Sequence, residues 1–173
     1  MSRSTGQSGP NRRATVTRQY RPLRFTGFVS DLWHITKSPC YLIRAIRGKP
    51  VSHAFRERLM LAVTAVNGCR YCSWAHTGAA LRSGVPNNEV ASLLTGSVDN
   101  CPTEEAIALI YAQHWADSNG KPDSEAIERL VQHYDAETCK TIDIILHMIR
   151  AGNYIGIAYA RLIERLSFRR RRK

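Results

Sequence analysis

Between residues 25 and 168 apolar side chains return every three or four positions, and no run alternates apolar with polar as a half-buried strand does. The pattern predicts helices throughout and no strands. Helix breakers divide it. Pro39 interrupts a first helical pattern near Phe28–Lys37, and a short segment over Tyr41–Ile46 ends at Gly48–Pro50. A stronger helix is predicted from Ser52 to Val66, with Phe55, Leu59, Ala62, Val63 and Val66 on one side, and Asn67–Gly68 stops it. The next helix opens at the stretch "VNGCRYCSWAH" and runs to Ser83–Gly84. Pro86 fits the first turn of a helix over Asn87–Leu94. Thr103 suits a helix cap, with Glu104 and Glu105 in the first turn, where the helix dipole favours acids. Ile107, Ile110, Tyr111 and His114 or Trp115 form that helix's apolar face, and "SNGKPDS" ends it. Helices over Glu125–His133, Ala136–Arg150 and Tyr154–Leu166 complete the set, the last carrying Ile157, Ala158, Leu162 and Leu166 at helical spacing. There is no internal repeat, and the connections are short. The expected architecture is an all-α bundle in a single domain.

Composition adds a boundary. The formal net charge of +11 invites a nucleic-acid reading until it is located. Residues 1–24 hold six arginines and no acid, and residues 169–173, "RRRRK", add five positive charges. What lies between carries 14 basic and 14 acidic side chains, so the expected folded part is neutral. The organisation predicted is an Arg-rich disordered tail over 1–24, a helical domain over 25–168 and a basic C-terminal tail over 169–173. Such tails suit solubility, with loose contact to nucleic acid or an anionic membrane as the alternative use. The N-terminal stretch has no apolar core of a secretory leader, and its Arg- and Ser/Thr-rich character only faintly resembles an organellar transit peptide. No run approaches the ~18 apolar residues of a membrane-spanning helix. A cytoplasmic protein is expected.

Five cysteines, an odd count, argue against a secreted disulfide scaffold. Cys40, Cys101 and Cys139 are isolated and are expected to pack inertly in the interior. Cys69 and Cys72 are different, because His76 follows at helical spacing and all three can share one face. Gly68 ends the preceding helix, which puts the cysteines at a helix start, where unpaired N–H groups and the dipole stabilise a thiolate. A histidine one turn on can take a thiol proton. If the helices flanking Asn67–Gly68 pack antiparallel, Glu57 comes within about one helical turn, ~5.4 Å, of His76. A carboxylate there would orient the ring and raise its basicity. The competing expectation for Glu57, set between Arg56 and Arg58, is a solvated charge. For the cysteines the spacing alone leaves open a redox pair, a metal site or buried sulfur.

The span Glu57–His76, "ERLMLAVTAVNGCRYCSWAH", reads E-x11-C-x2-C-x3-H. It resembles the signature of the alkylhydroperoxidase D-like proteins of the carboxymuconolactone decarboxylase family, including Tyr71 between the cysteines and the small-residue helix "HTGAALRSGV" that follows. The resemblance implies an all-α alkylhydroperoxidase D-like bundle that assembles as a trimer or hexamer. It implies a thiol-dependent peroxidase, an antioxidant oxidoreductase that binds no cofactor and works through a redox-active Cys69–Cys72 disulfide. Cys72 would be attacked by a hydroperoxide, Cys69 would resolve the sulfenic acid, and His76 would act as base with Glu57 and Tyr71 in support. A dithiol or lipoyl-carrying protein would re-reduce the disulfide, and some family members act on a peroxiredoxin. The Arg-rich tails are not part of the family pattern.

Two other readings compete. A zinc site would take Cys69, Cys72 and His76, but zinc wants four ligands and no second paired cluster is present, so no metal is expected. A non-enzymatic module binding nucleic acid or membrane through its tails lacks interleaved aromatics beside the basic runs. The other histidines, His114 and His147 among them, show no partner in the sequence and are expected to be core or surface groups. Trp33, Trp74 and Trp115 are expected in packing, with Trp74 also a candidate wall of the active-site pocket. Gly152 and Gly156 in "MIRAGNYIGIAYARL" predict close helix packing within the bundle or between subunits.

Overall fold

The computed structural model describes residues 25–171, so the predicted N-terminal tail lies outside the described residues. Eight helices follow one another: α1 (Phe25–Lys37), α2 (Pro39–Arg47), α3 (His53–Asn67), α4 (Arg70–Arg82), α5 (Asn87–Thr95), α6 (Thr103–Asp117), α7 (Ser124–His133) and α8 (Ala136–Arg171). No strand occurs among the described residues, so the all-α expectation holds.

Helix α3 is the axis of the bundle. It packs against α4, α5, α6 and α8. Leu59, Leu61, Ala62 and Val63 have no exposed surface, and Glu57, Arg58 and Thr64 are buried with them. The predicted one-sided apolar face therefore understates the case, because a helix enclosed on all sides buries every face. Ser52 caps it, accepting a hydrogen bond from the Phe55 amide at 3.1 Å. Gly68 ends it with φ +74°, the left-handed conformation that favours glycine, and its N–H donates to the Thr64 carbonyl. Cys69 follows directly as the residue preceding α4.

Several expectations are corrected. The chain from Ala136 forms one helix of 36 residues rather than two. Gly152 and Asn153 looked like a stop, but Asn153 is fully buried and its amide bridges Asn67 and Thr64, so tertiary hydrogen bonds hold the helical path. That helix runs on through Arg171, taking in the first arginines of the predicted tail. Past Ile157 and Ala160, α8 leaves the core: Ala158, Leu162 and Leu166 are exposed. On α6 the inward face is Ala108, Leu109, Tyr111, Ala112, Trp115 and Ala116, while Ile110 is exposed; Pro102 rather than Thr103 precedes the helix, without a side-chain cap. Trp115 is buried as expected, but Trp33 and Trp74 are exposed, and so is Cys40.

Candidate active site

The motif cysteines sit where α4 begins. Cys69 occupies the N-cap position, and Cys72 lies in the first turn. The two sulfurs are at disulfide distance, with Cα atoms 5.3 Å apart. The Cys72 amide donates to Cys69 Sγ at 3.3 Å, so charge on Cys69 meets both a backbone N–H and the positive end of the helix. Both cysteines are largely covered, Cys69 at 1% and Cys72 at 8% residue exposure, which makes Cys72 the more accessible residue of the two.

Helix α8 supplies the cover. Cys72 Sγ lies 3.7 Å from the Gly152 carbonyl oxygen, to which its S–H can donate once the pair is reduced. Ile157 closes the apolar side. At Gly156 a Cβ would fall 2.6 Å from Cys69 Sγ and 3.0 Å from Cys72 Sγ, closer than nonbonded atoms approach. Only glycine lets the helix pass this near the sulfurs. The sequence marked Gly152 and Gly156 as close-packing residues; Gly156 is one, and the surface it packs on is the sulfur pair, whereas a Cβ at Gly152 would meet nothing within 4 Å.

Glu57 and His76 meet across the α3–α4 turn. His76 Nδ1 donates to Glu57 Oε2 at 2.8 Å. The expectation of a solvated Glu57 is thereby set aside, for its side chain is 4% exposed. Arg56 completes the set, donating from Nε at 3.1 Å and from Nη2 at 2.9 Å to Glu57 Oε1, and from Nη1 to the Ala45 carbonyl at 3.1 Å. Burial pushes the Glu57 carboxyl up, but the hydrogen bonds from His76 and Arg56 and their charge outweigh it and hold the group below the usual value. An ionised Glu57 fixes the His76 proton on Nδ1 and leaves Nε2 as the basic nitrogen, one turn of α4 from Cys72. Arg56 was read only as a neighbour in sequence; its contact with α2 carbonyls gave no local signal.

Tyr71 is half exposed, and its ring packs edge-on against Tyr159 of α8 with centroids 5.4 Å apart. Trp74 stands 81% exposed on the same helix, so it borders the outer surface instead of walling a pocket. Among the remaining cysteines, burial pushes the Cys101 thiol up to about 11, aided by Glu89, and raises Cys139 as well, so neither favours a thiolate.

Comparison with known proteins agrees with this arrangement. The sequence profile of the carboxymuconolactone decarboxylase family matches residues 41–113, a span that includes Glu57, both cysteines and His76. The chain is also 30% identical over 111 residues to the uncharacterized protein YdfG of Bacillus subtilis (strain 168), an alignment covering 62% of this chain and 75% of that protein.

Proposed function

The chain belongs to the carboxymuconolactone decarboxylase family, and we propose that it is a thiol-dependent peroxidase of the alkylhydroperoxidase D-like type. The observation that carries the reading is a pair of bondable sulfurs at a helix start, beside an imidazole held by a buried carboxylate.

The chemistry runs in three balanced steps. His76 Nε2 takes the Cys72 proton, and the thiolate attacks the distal oxygen of a hydroperoxide; the O–O bond breaks, the sulfur becomes a sulfenic acid, and the alkoxide leaves as an alcohol with the proton from His76. Cys69, its thiolate stabilised by the Cys72 amide, then attacks the sulfenic sulfur. The S–S bond forms, and the hydroxyl of the sulfenic acid departs as water with the proton that Cys69 gave up. An external dithiol finally exchanges with the disulfide, becoming oxidised while both cysteines return as thiols. The greater exposure of Cys72 supports its place as the attacked sulfur, and the amide on Cys69 supports its place as the resolving and leaving one. Tyr71 supports the mouth of the site through its ring. No bound cofactor is required.

The partners proposed are a hydroperoxide, a dithiol or lipoyl-carrying reductant and, in the disulfide-exchange variant of the same chemistry, a peroxiredoxin. A reducing compartment such as the cytoplasm suits the cycle; no described helix is long and apolar enough to cross a membrane. The exposed apolar residues Ile155, Tyr159, Leu162, Ile163 and Leu166 of α8 are consistent with assembly of several copies, a trimer or hexamer, about this helix.

The test is chemical. Reduced protein is exposed separately to a small organic hydroperoxide and, once oxidised, to dihydrolipoamide, and consumption of each is followed. Peptide mass spectrometry should find a Cys69–Cys72 bond after peroxide. Cys69→Ser should accumulate sulfenic acid on Cys72, and Cys72→Ser should abolish turnover. Peroxide consumption that survives Cys72→Ser would overturn the assignment.

A further inference from the structure

A second carboxylate–imidazole couple lies where α1 crosses α8, built from residues that the sulfur chemistry does not use. His147 is buried, and its Nδ1 donates to Asp31 Oδ1 at 2.6 Å. Asp31 is 1% exposed and also accepts from Arg150, Nε to Oδ2 at 2.8 Å and Nη2 to Oδ1 at 2.5 Å. The guanidinium already balances the buried carboxylate, so the imidazole need not be cationic to satisfy it. In its neutral form the ring then carries its proton on Nδ1 and presents a lone pair at Nε2. What faces that lone pair is another acceptor: Asp143 Oδ1 at 3.6 Å, beyond hydrogen-bond length. The other oxygen of Asp143 lies 2.7 Å from Nε2 of His34. The two imidazole rings stack, with centroids 4.1 Å apart.

We propose that His34, Asp143 and His147 form a binding site for a divalent first-row transition ion of the zinc class, with Asp31 as the buried group that fixes the His147 tautomer. The donor atoms of the three residues lie within 4.8 Å of one another. A tetrahedral ion with bonds of about 2.0–2.1 Å holds its ligand atoms about 3.3 Å apart. The Asp143 carboxylate lies between the two rings, Oδ2 2.7 Å from His34 Nε2 and Oδ1 3.6 Å from His147 Nε2, so a small turn of the carboxylate brings one oxygen to that separation from both. Two imidazoles and one carboxylate make a donor set suited to zinc, iron or nickel rather than magnesium or calcium. A metal-bound histidine whose other ring nitrogen donates to a carboxylate is the usual support of such sites, and the Asp31–His147 bond supplies it. His34 and Asp143 stand at the surface with side chains 46% and 36% exposed, which gives the ion an entry path and a solvent-accessible fourth position; to bind it, the His34 ring turns out of its stack on His147. The ion would tie α1 to α8, independently of the sulfur site.

The experiment uses the full-length chain without an affinity tag and with the Cys69–Cys72 disulfide closed, so that those sulfurs do not compete. Zinc chloride is titrated calorimetrically, and cobalt(II) absorption reports the donor atoms. One ion per chain is expected, with a cobalt spectrum free of thiolate charge transfer. His34→Ala and Asp143→Asn alter partly exposed residues, so both are expected to fold; each should weaken zinc at least about tenfold, as loss of a ligand or its support does. Zinc should raise the melting temperature of the parent protein and leave that of His34→Ala unmoved. Absence of saturable binding, or an affinity unchanged by His34→Ala, overturns the proposal.

Discussion

Two buried couples in this molecule share one construction. Glu57 is held by His76 Nδ1 and by two nitrogens of Arg56; Asp31 is held by His147 Nδ1 and by two nitrogens of Arg150. In each, the guanidinium answers the charge of the carboxylate, and the carboxylate fixes the imidazole proton. In the neutral ring the remaining nitrogen is then the one that carries the lone pair. The couples differ in what that nitrogen can reach: for His76 it is the helix face that carries Cys72, for His147 it is the carboxylate of Asp143. An oriented imidazole is a generic part, and its neighbour decides whether it moves protons or gathers a cation.

The comparison breaks most visibly through the guanidinium. Arg150 is nearly buried, and removing it strands Asp31 without its main counter-charge. Arg150→Ala should cost about 3–5 kcal/mol of unfolding free energy. Arg56→Ala should cost less, because Arg56 is more exposed than Arg150 and water can replace part of what it gives Glu57. Equal costs in urea denaturation would show that the two carboxylates do not differ in their dependence on arginine. Next in size is the catalytic term. Glu57→Gln should lower peroxide-driven disulfide formation by about 10²-fold, the lower range for a lost proton relay. His76→Gln should act on the same step and raise the Cys72 thiol pKa in a pH titration of alkylation rate. An unchanged alkylation profile would remove His76 from the base role.

The two couples also differ in how far the chain discloses them. Glu57 and His76 are 19 residues apart across a single turn, and Gly68 fixes where that turn lies. Helical arithmetic alone brings them within reach. Asp31 and His147 are 116 residues apart, on helices whose pairing depends on how the whole bundle closes. No local periodicity encodes that contact, and His147 accordingly read as an unpartnered core residue. The continuity of α8 was hidden for a related reason. Gly152–Asn153 is a sound stop signal by propensity, and it is overruled by hydrogen bonds that Asn153 accepts from Asn67 and donates to Thr64 of α3. The helix boundaries set by Pro39, Gly48 and Gly68, by contrast, depend on backbone geometry intrinsic to those residues, and they fall where the sequence puts them or within a residue or two.

Smaller in effect, and specific to the sulfur couple, is the close approach of α8. A methyl group at position 156 would meet both sulfurs, so Gly156→Ala should cost about 1–3 kcal/mol by overpacking. The strain should fall mostly on the joined state, in which the sulfurs have least freedom to move aside. Equilibration with a dithiol buffer should then find the variant more readily reduced than the parent. A penalty equal in the oxidised and reduced proteins would mean that α8 packs on the sulfurs without bearing on their chemistry.

The smallest effect is the slope of stability with pH, and it bears on both couples at once. In each, burial raises the carboxyl and the imidazole and guanidinium partners lower it further, so the folded group ionises below its ordinary value. A depressed folded pKa makes the unfolded chain the tighter proton binder. The stabilisation is therefore complete above the unfolded value, near 4.5 for Glu57 and 3.8 for Asp31, and is lost as pH falls through the folded one. Each group contributes at most about 1.4 kcal/mol per pH unit, the value for one proton. Denaturation midpoints measured from pH 6 down to pH 3 should decline in the parent protein. The decline should be shallower in Glu57→Gln, and shallower over a lower pH range in Asp31→Asn, because the group removed there titrates later on the acid side. A parent curve that rises toward acid would place both carboxyls above their ordinary values. Protonated carboxyls could no longer hold the two imidazoles in the tautomer that the sulfur chemistry and the proposed metal site each require.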